Sequence, residues 1–332
     1  MTNNSITYLN GYVNKSSSKW TVRKLEAKKR AELMRRAGYK SRAARMARCS
    51  EHVELQVCPA CGRNHVTRAE LCRDRFCPIC MWRLAMQKFA KMCKIVDKVE
   101  EYDNYNYTFV TLTVKNVPVG KLRDQILHMS NSWNKLRKRK DFMELQDGWA
   151  RSVEITYNAE MQTFHPHYHI IIAHGSSVSI DIKALEKYFN ALWRDTACLS
   201  YAPQTDVEAI DKLYGKDVES KEEQSGAVLE CFKYPLKPFN SDDMPLHIFK
   251  RYVEQVKGLR MTAFGGIFKT VKHDLGFNME DVEDGEEIKE TSCESCGAIM
   301  QSYIYRWCET SDKYEVYTEV KQNGTSSKQA RD

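Results

Sequence analysis

Residues 165–172 read HPHYHIII, a segment in which imidazole rings alternate with large side chains before three isoleucines follow. β-Branched and aromatic residues favour strands, and successive strand side chains point to opposite faces. His167 and His169 therefore share one face, about 6 to 7 Å apart at roughly 3.3 Å per residue. Tyr168 and two of the isoleucines face the other way, into the predicted core. His165, which precedes a proline, is expected just outside the strand.

A carboxylate occupies the strand predicted before this one. Glu154 lies in SVEIT, and a buried carboxylate is costly unless it is paired or coordinates a metal. Two imidazoles and one carboxylate leave open positions for phosphate oxygen and water, and such a set suits a catalytic Mg²⁺ or Mn²⁺. The sequence thus predicts a divalent-metal site at Glu154, His167 and His169. The alternative is that the histidines are exposed pairing residues that hold no metal.

Hydrophobic periodicity predicts a regular series of elements around this strand. Strands and helices alternate in the order β-α-β-β-α-β, which is the split βαβ or ferredoxin-like pattern of an α+β protein with an antiparallel sheet. Additional helices are expected at 81–101, 225–234 and 245–257, and a hairpin at 302–317. The six elements of the series are predicted at 107–114, 122–138, 151–157, 167–173, 182–195 and 204–210.

Positive charge is concentrated at the N-terminal end. Residues 1–48 hold 13 lysines and arginines and two acidic residues, a net of +11, whereas the whole chain is +7. Lysine and arginine at this density release counterions from nucleic acid, so a basic helical arm that binds DNA phosphates is predicted. A solvated helix or tail is the alternative. The predicted DNA-binding residues are Lys28, Lys29, Arg30, Arg35, Arg36, Arg42, Arg45 and Arg48.

Twelve cysteines indicate metal binding if the chain resides in a reducing compartment. The first 18 residues lack the basic and apolar regions of a secretory signal, and no run of 18 apolar residues occurs, so a cytoplasmic chain without a membrane partner is expected. By spacing alone, Cys58, Cys61, Cys77 and Cys80 form one closed zinc site. Other cysteines, and His65, are further candidate ligands.

A candidate nucleophile lies in VLECFKYPLK, residues 228–237. Residues four apart share a helix face, so Glu230 and Tyr234 would lie side by side, with Lys237 one turn further on. A tyrosine can attack phosphorus, and a neighbouring carboxylate can activate water. Pro235 disfavours helical geometry at the preceding residue, so the helix is expected to end or kink there.

Three segments, FVTLTVKNVP, HPHYHIII and ECFKYPLK, resemble in order and spacing the motifs of plasmid rolling-circle replication initiators in the HUH endonuclease superfamily. They are most similar to the group with one catalytic tyrosine and a Glu-x-x-x-Tyr arrangement. FCPICMWR, at 76–83, also resembles a segment that precedes the first motif in that group. The resemblance covers about residues 49–277, most of the chain.

The resemblance implies an enzyme that nicks and joins single-stranded origin DNA. His167 and His169 would bind the catalytic ion, Tyr234 would form a 5′-phosphotyrosine link, and Glu230 would activate water for termination. Lys237 would steady a phosphate or the phenolate. Thr111 and Thr113, in the first motif, would support the site structurally. One departure is Pro238, where many relatives carry an acidic residue.

The resemblance also implies a partition of the cysteines into two zinc sites, because the cysteines at 49, 72, 77 and 80 match those that recur in relatives. The first site would hold Cys49, Cys72, Cys77 and Cys80, and the second Cys58, Cys61, Cys293 and Cys296. Cys308 and His65 would be spare ligands. One or two structural zinc ions are therefore expected beside the catalytic Mg²⁺ or Mn²⁺.

Four segments are expected: a basic arm at 1–48, a zinc-binding module with its helix at 49–100, an endonuclease domain at 101–279, and an acidic linker and hairpin with a Cys-x-x-Cys knuckle at 280–332. Expected partners are single-stranded or hairpin origin DNA, a host helicase and polymerase, and a second copy of the chain. The alternatives are a single-strand transposase or mobilisation relaxase of the same superfamily, or a non-catalytic zinc-dependent nucleic-acid-binding protein.

Overall fold

The computed structural model describes residues 19–210, 231, 244–284 and 291–320. These residues form an α+β protein, as predicted, with two antiparallel sheets where the sequence predicted one sheet and a hairpin, and they contain eight α-helices and ten strands. The helices are α1 (Lys19–Arg36), α2 (Lys40–Ala47), α3 (Pro78–Glu100), α4 (Leu122–Leu136), α5 (Lys140–Leu145), α6 (Ile182–Thr196), α7 (Leu246–Gln255) and α8 (Gly266–Asp274). The strands are β1 (His52–Val57), β2 (Asn64–Ala69), β3 (Tyr105–Thr113), β4 (Val117–Pro118), β5 (Gly148–Asn158), β6 (Thr163–Gly175), β7 (Thr205–Ile210), β8 (Thr262–Gly265), β9 (Gln301–Cys308) and β10 (Lys313–Val320).

The chain divides into two compact units, Met1–Met81 with Val282–Asp332, and Trp82–Asp281. The first unit contains a four-stranded sheet in the order β10-β9-β1-β2. The second contains a larger sheet in the order β7-β3-β6-β5-β8, with β4 paired to β6. The four-segment division expected from the sequence stays a prediction. None of the described helices is long and apolar enough to cross a membrane.

The second unit contains the predicted β-α-β-β-α-β series as β3, α4, β5, β6, α6 and β7. The loop between β5 and β6 spans only 159–162, because both strands are longer than their hydrophobic pattern indicated. His165 lies inside β6, paired with Thr156, and not outside the strand as expected. Pro166 is tolerated there because pairing with β3 ends at His167, so no donor is needed on that side.

Both faces of β6 are buried, so the strand is the centre of the second unit. On one face Tyr168 packs among aromatic side chains of the helices, and its ring lies 6.4 Å from Trp133 of α4 and 5.9 Å from Trp193 of α6. On the other face Ile171 joins a cluster with Met92 of α3 and Phe268 of α8. Because both sides bury large apolar area, the position and register of β6 are tightly fixed.

A glycine pair turns the edge strand β8 directly into α8. Gly266 has φ +55°, and a Cβ there would lie 2.0 Å from the carbonyl oxygen of Asp147. The next residue, Ile267, donates its backbone N–H to the same oxygen at 2.9 Å. Only glycine fits this approach, so the sequence FGG ends β8 and fixes α8 against the start of β5.

The basic N-terminal segment is helical, as predicted, but it is packed and not a free arm. Trp20 and Met34 of α1 are buried. Lys24 is also buried, and its Nζ donates to the carbonyl oxygens of Ala47 and Cys49 at 2.9 and 2.7 Å. An ammonium group placed at the C-terminal end of another helix satisfies carbonyls that lack helical partners. Lys24 therefore ties α1 to the end of α2.

Two strands of the first unit, β1 and β2, were not predicted. They pair with each other, and β1 also pairs with β9 over His52–Val57 and Gln301–Arg306. The C-terminal hairpin of β9 and β10 was predicted, and the structure confirms it. Pairing with β1 therefore joins segments nearly 250 residues apart in the chain.

Candidate metal centres and functional site

Three side chains of types that can bind a metal converge on one face of the larger sheet. Glu154 of β5 pairs directly with His167 of β6, and His169 follows two residues later on the same face. His169 Nε2 lies 2.8 Å from Glu154 Oε2, and His167 Nε2 lies 3.5 Å from the same oxygen. The two Nε2 atoms are 3.2 Å apart. This group can hold a metal ion, and its two nitrogens and one oxygen suit a divalent cation.

The other nitrogen of each imidazole is held by a hydrogen-bond partner. His167 Nδ1 donates to the carbonyl oxygen of His165 at 3.3 Å, and His169 Nδ1 lies 3.3 Å from Thr111 Oγ1. With Nδ1 of each ring bonded outward, both Nε2 atoms are directed toward Glu154, where they can offer lone pairs to an ion. Thr111 thus has the supporting contact that the resemblance implied, whereas Thr113 donates its hydroxyl to Gln204 O at 2.7 Å.

The site is largely shielded from solvent. His167 and His169 are each 8% exposed and Glu154 is 3% exposed, and the ring of Phe109 stacks on His169 at 5.3 Å. The ring of His165 lies 5.2 Å from that of His167. Burial and the neighbouring His167 lower the pKa of His165. Three imidazoles therefore line this face, whereas the sequence pattern predicts two.

The candidate nucleophile and its neighbours, Tyr234, Glu230 and Lys237, lie outside the described residues. Cys231, within the same motif, is described and is buried against the metal-site face. Its carbonyl oxygen accepts a hydrogen bond from Ser152 Oγ, and its Sγ donates to His169 O at 3.4 Å. Burial raises the pKa of the Cys231 thiol to about 12, so it is protonated at neutral pH.

Two polar residues of this region were missed by the sequence analysis. Ser152 lies two residues before Glu154 in β5 and binds Cys231. Lys88 of α3 is only 2% exposed, and its charge acts on the Cys231 thiol. A buried lysine is rare in proteins. The sequence feature that could have indicated this burial is that the lysine directly precedes Phe89 and lies on the apolar side of the predicted helix.

Cys49, Cys72, Cys77 and Cys80 form the first cysteine group, and it can hold a metal ion. The Sγ atoms of Cys49 and Cys72 each lie 3.6 Å from that of Cys80. Four thiolates about 2.3 Å from a tetrahedral zinc stand roughly 3.8 Å apart, whereas disulfide-bonded sulfurs are about 2.05 Å apart. All four side chains are free thiols, so the spacing fits a closed zinc site.

The second group joins two Cys-x-x-Cys knuckles that lie far apart in the chain. Cys58 Sγ lies 3.4 Å from Cys296 Sγ, and Cys61 Sγ lies 3.6 Å from Cys293 Sγ. The group based on spacing alone, with Cys58 and Cys61 beside Cys77 and Cys80, is therefore wrong, because strand pairing brings the C-terminal knuckle to Cys58. Neither His65 nor Cys308 belongs to a metal group among the described residues.

The predicted DNA-binding residues differ in their availability for phosphate contacts. Arg30 is buried. Lys28 donates hydrogen bonds to Glu309 and Asp312 at 2.7 and 3.1 Å. Arg42 donates two hydrogen bonds to the buried carboxylate of Asp74 at 2.7 and 2.9 Å. Arg35 is exposed but bonds Glu32 at 2.6 Å. The remaining side chains, Lys29, Arg36, Arg45 and Arg48, are exposed to solvent.

Several known proteins resemble this chain. "Protein rep" of Streptococcus pneumoniae serotype 2 (strain D39 / NCTC 7466) is 29% identical over 272 residues, covering 80% of this chain and 82% of that protein. "Protein rep" of Bacillus amyloliquefaciens is 29% identical over 292 residues, covering 81% and 85%. "Protein rep" of Lentilactobacillus hilgardii is 25% identical over 320 residues, covering 92% and 96%. No solved structure matches the chain.

A family model described as "Replication protein" matches residues 63–315. The matched region contains the candidate metal-binding face of the larger sheet and five of the eight cysteines of the two groups. The resemblance to replication initiators that the motifs indicated is confirmed at the level of this family. Because the match extends over well more than half of the sequence, the chain belongs to this family of replication proteins.

Proposed function

We propose that this replication protein initiates rolling-circle replication of a plasmid in the cytoplasm by nicking and joining single-stranded origin DNA. The observation that carries the proposal is the convergence of Glu154, His167 and His169 on one shielded face. A structural role alone gives little reason for two imidazoles and a carboxylate to meet within hydrogen-bond distance.

The strand order supports a ferredoxin-like HUH endonuclease domain. The four strands of the β-α-β-β-α-β series stand in the order fourth, first, third, second, as β7, β3, β6 and β5, and all neighbours are antiparallel. The two histidines lie on the third strand of that series, at the centre of the sheet. The proposed domain corresponds to residues 101–279.

A Mg²⁺ or Mn²⁺ ion held by Glu154, His167 and His169 would withdraw charge from the non-bridging oxygens of the scissile phosphate. Tyr234 then attacks phosphorus with its phenolic oxygen. The phenol gives up its proton, the new bond joins its oxygen to the 5′-phosphate, the P–O3′ bond breaks, and the departing 3′ oxygen takes up a proton to become the free 3′-hydroxyl. Lys237 steadies the phosphate or the phenolate during this exchange.

Termination uses water in place of a second tyrosine. Glu230 removes a proton from the water molecule that attacks phosphorus in a later cleavage, so this round ends without a covalent link. The contacts of Cys231 with Ser152 and His169 support this assignment. Glu230 is adjacent to Cys231 in the sequence, and Tyr234 follows Cys231 by three residues, a stretch of chain that reaches at most about 11 Å, which is compatible with a nucleophile that acts at the metal-site face.

In the first unit, zinc stabilises the fold and basic side chains contact DNA. The two cysteine groups each hold one Zn²⁺, and the exposed basic residues Lys29, Arg36, Arg45 and Arg48 contact phosphates. A host helicase and polymerase extend the 3′-hydroxyl, and a second copy of the chain completes the initiation complex.

The decisive experiment is covalent capture. The full chain is incubated with Mn²⁺ and single-stranded DNA carrying the replicon's own origin hairpin, and the products are analysed on a denaturing gel and by mass spectrometry. The wild type and Tyr102→Phe, which alters an exposed tyrosine, are expected to form an adduct, whereas Tyr234→Phe binds DNA but forms none. An adduct in Tyr234→Phe that maps to another tyrosine would disprove the assignment.

A second comparison tests the role of Glu230. Glu230→Ala should retain the first cleavage and the adduct but lose hydrolysis, so that products longer than one plasmid unit accumulate. Removal of the divalent ion with EDTA should abolish the adduct in every variant. Normal termination products from Glu230→Ala would assign the second nucleophile to another group.

A further inference from the structure

An exposed lysine lies just beyond the end of β3 that adjoins the metal-site histidines. Thr113, the last residue of β3, pairs with His167 of β6. Lys115 follows two positions later, roughly 7 Å of extended chain further on. Its side chain is exposed to solvent. The next strand, β4, pairs with Phe164, so the segment that contains Lys115 runs beside His165.

This end of β3 is held by α6 and by the loop that follows α6. The indole Nε1 of Trp193 donates to the carbonyl oxygen of Thr113 at 2.9 Å. The backbone N–H and the hydroxyl of Thr113 both donate to Gln204 O, at 3.3 and 2.7 Å. These three hydrogen bonds fix the backbone from which the segment with Lys115 extends.

Tyr201, in the same loop, holds Lys115 itself. The backbone N–H of Lys115 donates to Tyr201 Oη at 2.9 Å. Its Nζ lies 4.3 Å from the centre of the Tyr201 ring. A ring face attracts a cation but does not accept the directed bonds of its N–H groups. Within the described ranges Lys115 forms no ion pair, so its ammonium group is held in place while its protons remain open to an anion.

The charge of the metal face differs between its two sides. Asp206 of β7 pairs with Thr111, and Glu208 pairs with Phe109. Side chains of directly paired residues lie on the same face of a sheet, so both carboxylates are on the metal face. Both are exposed, and neither forms an ion pair with another described residue. A phosphate backbone at the metal site is therefore repelled along β7 and attracted toward Lys115.

An ammonium group binds phosphate as a point charge, which suits a phosphodiester that is bound but not cleaved. We infer that Lys115 binds a phosphodiester of single-stranded DNA that flanks the scissile phosphate, and that Tyr201 positions its ammonium group. This inference rests on the proposed function, because the flanking strand is the one that the metal site would nick. It assigns the DNA a path from the metal site past the end of β3.

The binding test uses the full-length chain, single-stranded origin DNA and EDTA, so that no cleavage occurs. Fluorescence anisotropy at several salt concentrations compares wild type with Lys115→Gln and with Lys187→Gln, which removes an exposed lysine from α6 of the same unit. Lys115→Gln should flatten the logarithmic salt slope by about 0.7, the loss of one phosphate contact on a single strand. Lys187→Gln and the charge-conserving Lys115→Arg should keep the wild-type slope. If Lys115→Gln matches Lys187→Gln, Lys115 is only a solvated side chain and the inference is overturned.

A double-variant comparison tests the role of Tyr201. Tyr201→Leu removes the ring and should weaken DNA binding by about two- to five-fold, the contribution of one exposed cation–π contact. In the Lys115→Gln background it should have no further effect, because the ring acts through the ammonium group. An equal loss in both backgrounds would make Tyr201 a purely structural residue and overturn its positioning role.

Nicking is measured separately, with Mn²⁺ and rising DNA concentration. Lys115→Gln should need more DNA for half-maximal adduct formation but reach the wild-type rate at saturation, because the scissile phosphate keeps its contacts with the ion. A lower rate at saturation would place Lys115 at the scissile phosphate and contradict the flanking contact. A wild type that forms no adduct would refute the nicking proposal, whereas the salt slope in EDTA still decides whether Lys115 binds a DNA phosphate.

Discussion

The orientation of the two metal-site imidazoles depends on their outer nitrogens. His167 Nδ1 donates to a backbone carbonyl, and His169 Nδ1 lies 3.3 Å from the hydroxyl of Thr111. Hydrogen bonds of this kind fix the tautomer and the ring plane of a metal-binding histidine. Because only the Thr111 contact uses a side chain, it is the one that mutation can remove without altering the backbone.

Thr111→Val should weaken Mn²⁺ binding by roughly 10- to 100-fold, since His169 loses the partner that holds Nε2 toward Glu154. Thr111→Ser should retain most of the affinity. Thr113→Val is the matched control, because that hydroxyl bonds Gln204 O and not a histidine. Titration with Mn²⁺ followed by electron paramagnetic resonance measures the affinity, and equal affinity in Thr111→Val and wild type would contradict the assigned role.

Another histidine of the larger sheet is buried away from the metal site. His174 is fully buried, with Nδ1 2.8 Å from Leu145 O and Nε2 2.8 Å from Thr108 Oγ1. Burial lowers its pKa. Below the unfolded pKa of about 6.5, the unfolded chain binds a proton that the folded chain does not, so stability falls as pH falls from that value toward the folded pKa.

We expect His174→Asn to reduce the pH dependence of the unfolding free energy between pH 7 and pH 5. One proton contributes a slope of at most about 1.4 kcal/mol per pH unit, so the difference from wild type should lie below that limit. Chemical denaturation at several pH values measures the slope. His273→Asn, at an exposed position, serves as control, and identical slopes in wild type and His174→Asn would exclude His174 as the source.

At the scale of elements, the second cysteine group fastens two strands that are distant in sequence. Cys58 directly follows β1, the Cys293 knuckle precedes β9, and β1 and β9 pair along their length. A zinc ion held by both knuckles would close the end of this pairing. Structural zinc contributes directly to folding free energy, because an unfolded chain does not present four preformed ligands.

Native mass spectrometry should therefore find two zinc ions per chain in wild type and in Cys308→Ser, whose cysteine lies outside both groups. Cys58→Ser and Cys77→Ser should each lose about one ion and unfold at lower temperature. The double variant distinguishes the two partitions, since it loses both ions if Cys58 and Cys77 belong to different sites. A double variant that keeps one full zinc equivalent would contradict the arrangement.

At the scale of the whole molecule, the basic N-terminal residues divide into packing and surface groups. Lys24 and Arg30 are buried, and Arg42 pairs with buried Asp74. Deleting residues 1–48 would therefore remove part of a folded unit together with its charge. Substitution of the exposed residues alone separates the electrostatic effect from the loss of structure.

The quadruple variant Lys29→Gln, Arg36→Gln, Arg45→Gln and Arg48→Gln should fold normally and bind DNA more weakly at physiological salt. Its logarithmic salt slope should flatten by about 0.7 to 0.9 for each phosphate contact that is lost. Fluorescence anisotropy with labelled origin DNA measures both quantities. The matched control is Lys140→Gln and Lys183→Gln, at exposed positions of the second unit. An unchanged slope in the quadruple variant would remove these residues from the DNA-binding surface.

The local pattern of the sequence determined the elements of the larger sheet and the types of side chain at the metal site. Alternation placed His167 and His169 on one face, the amphipathic period located α3, α4 and α6, and paired Cys-x-x-Cys spacing indicated candidate metal ligands. Only tertiary structure decided the partners. The pairing of β5 with β6 sets Glu154 against His167, and the pairing of β1 with β9 assigns Cys58 to Cys296 and not to Cys80. Periodicity is a property of a few consecutive residues, whereas strand register and burial depend on packing between segments tens to hundreds of residues apart. For the same reason the short β8, the unpredicted β1 and β2, and the buried positions of Arg30 and Arg151 became visible only in the folded chain.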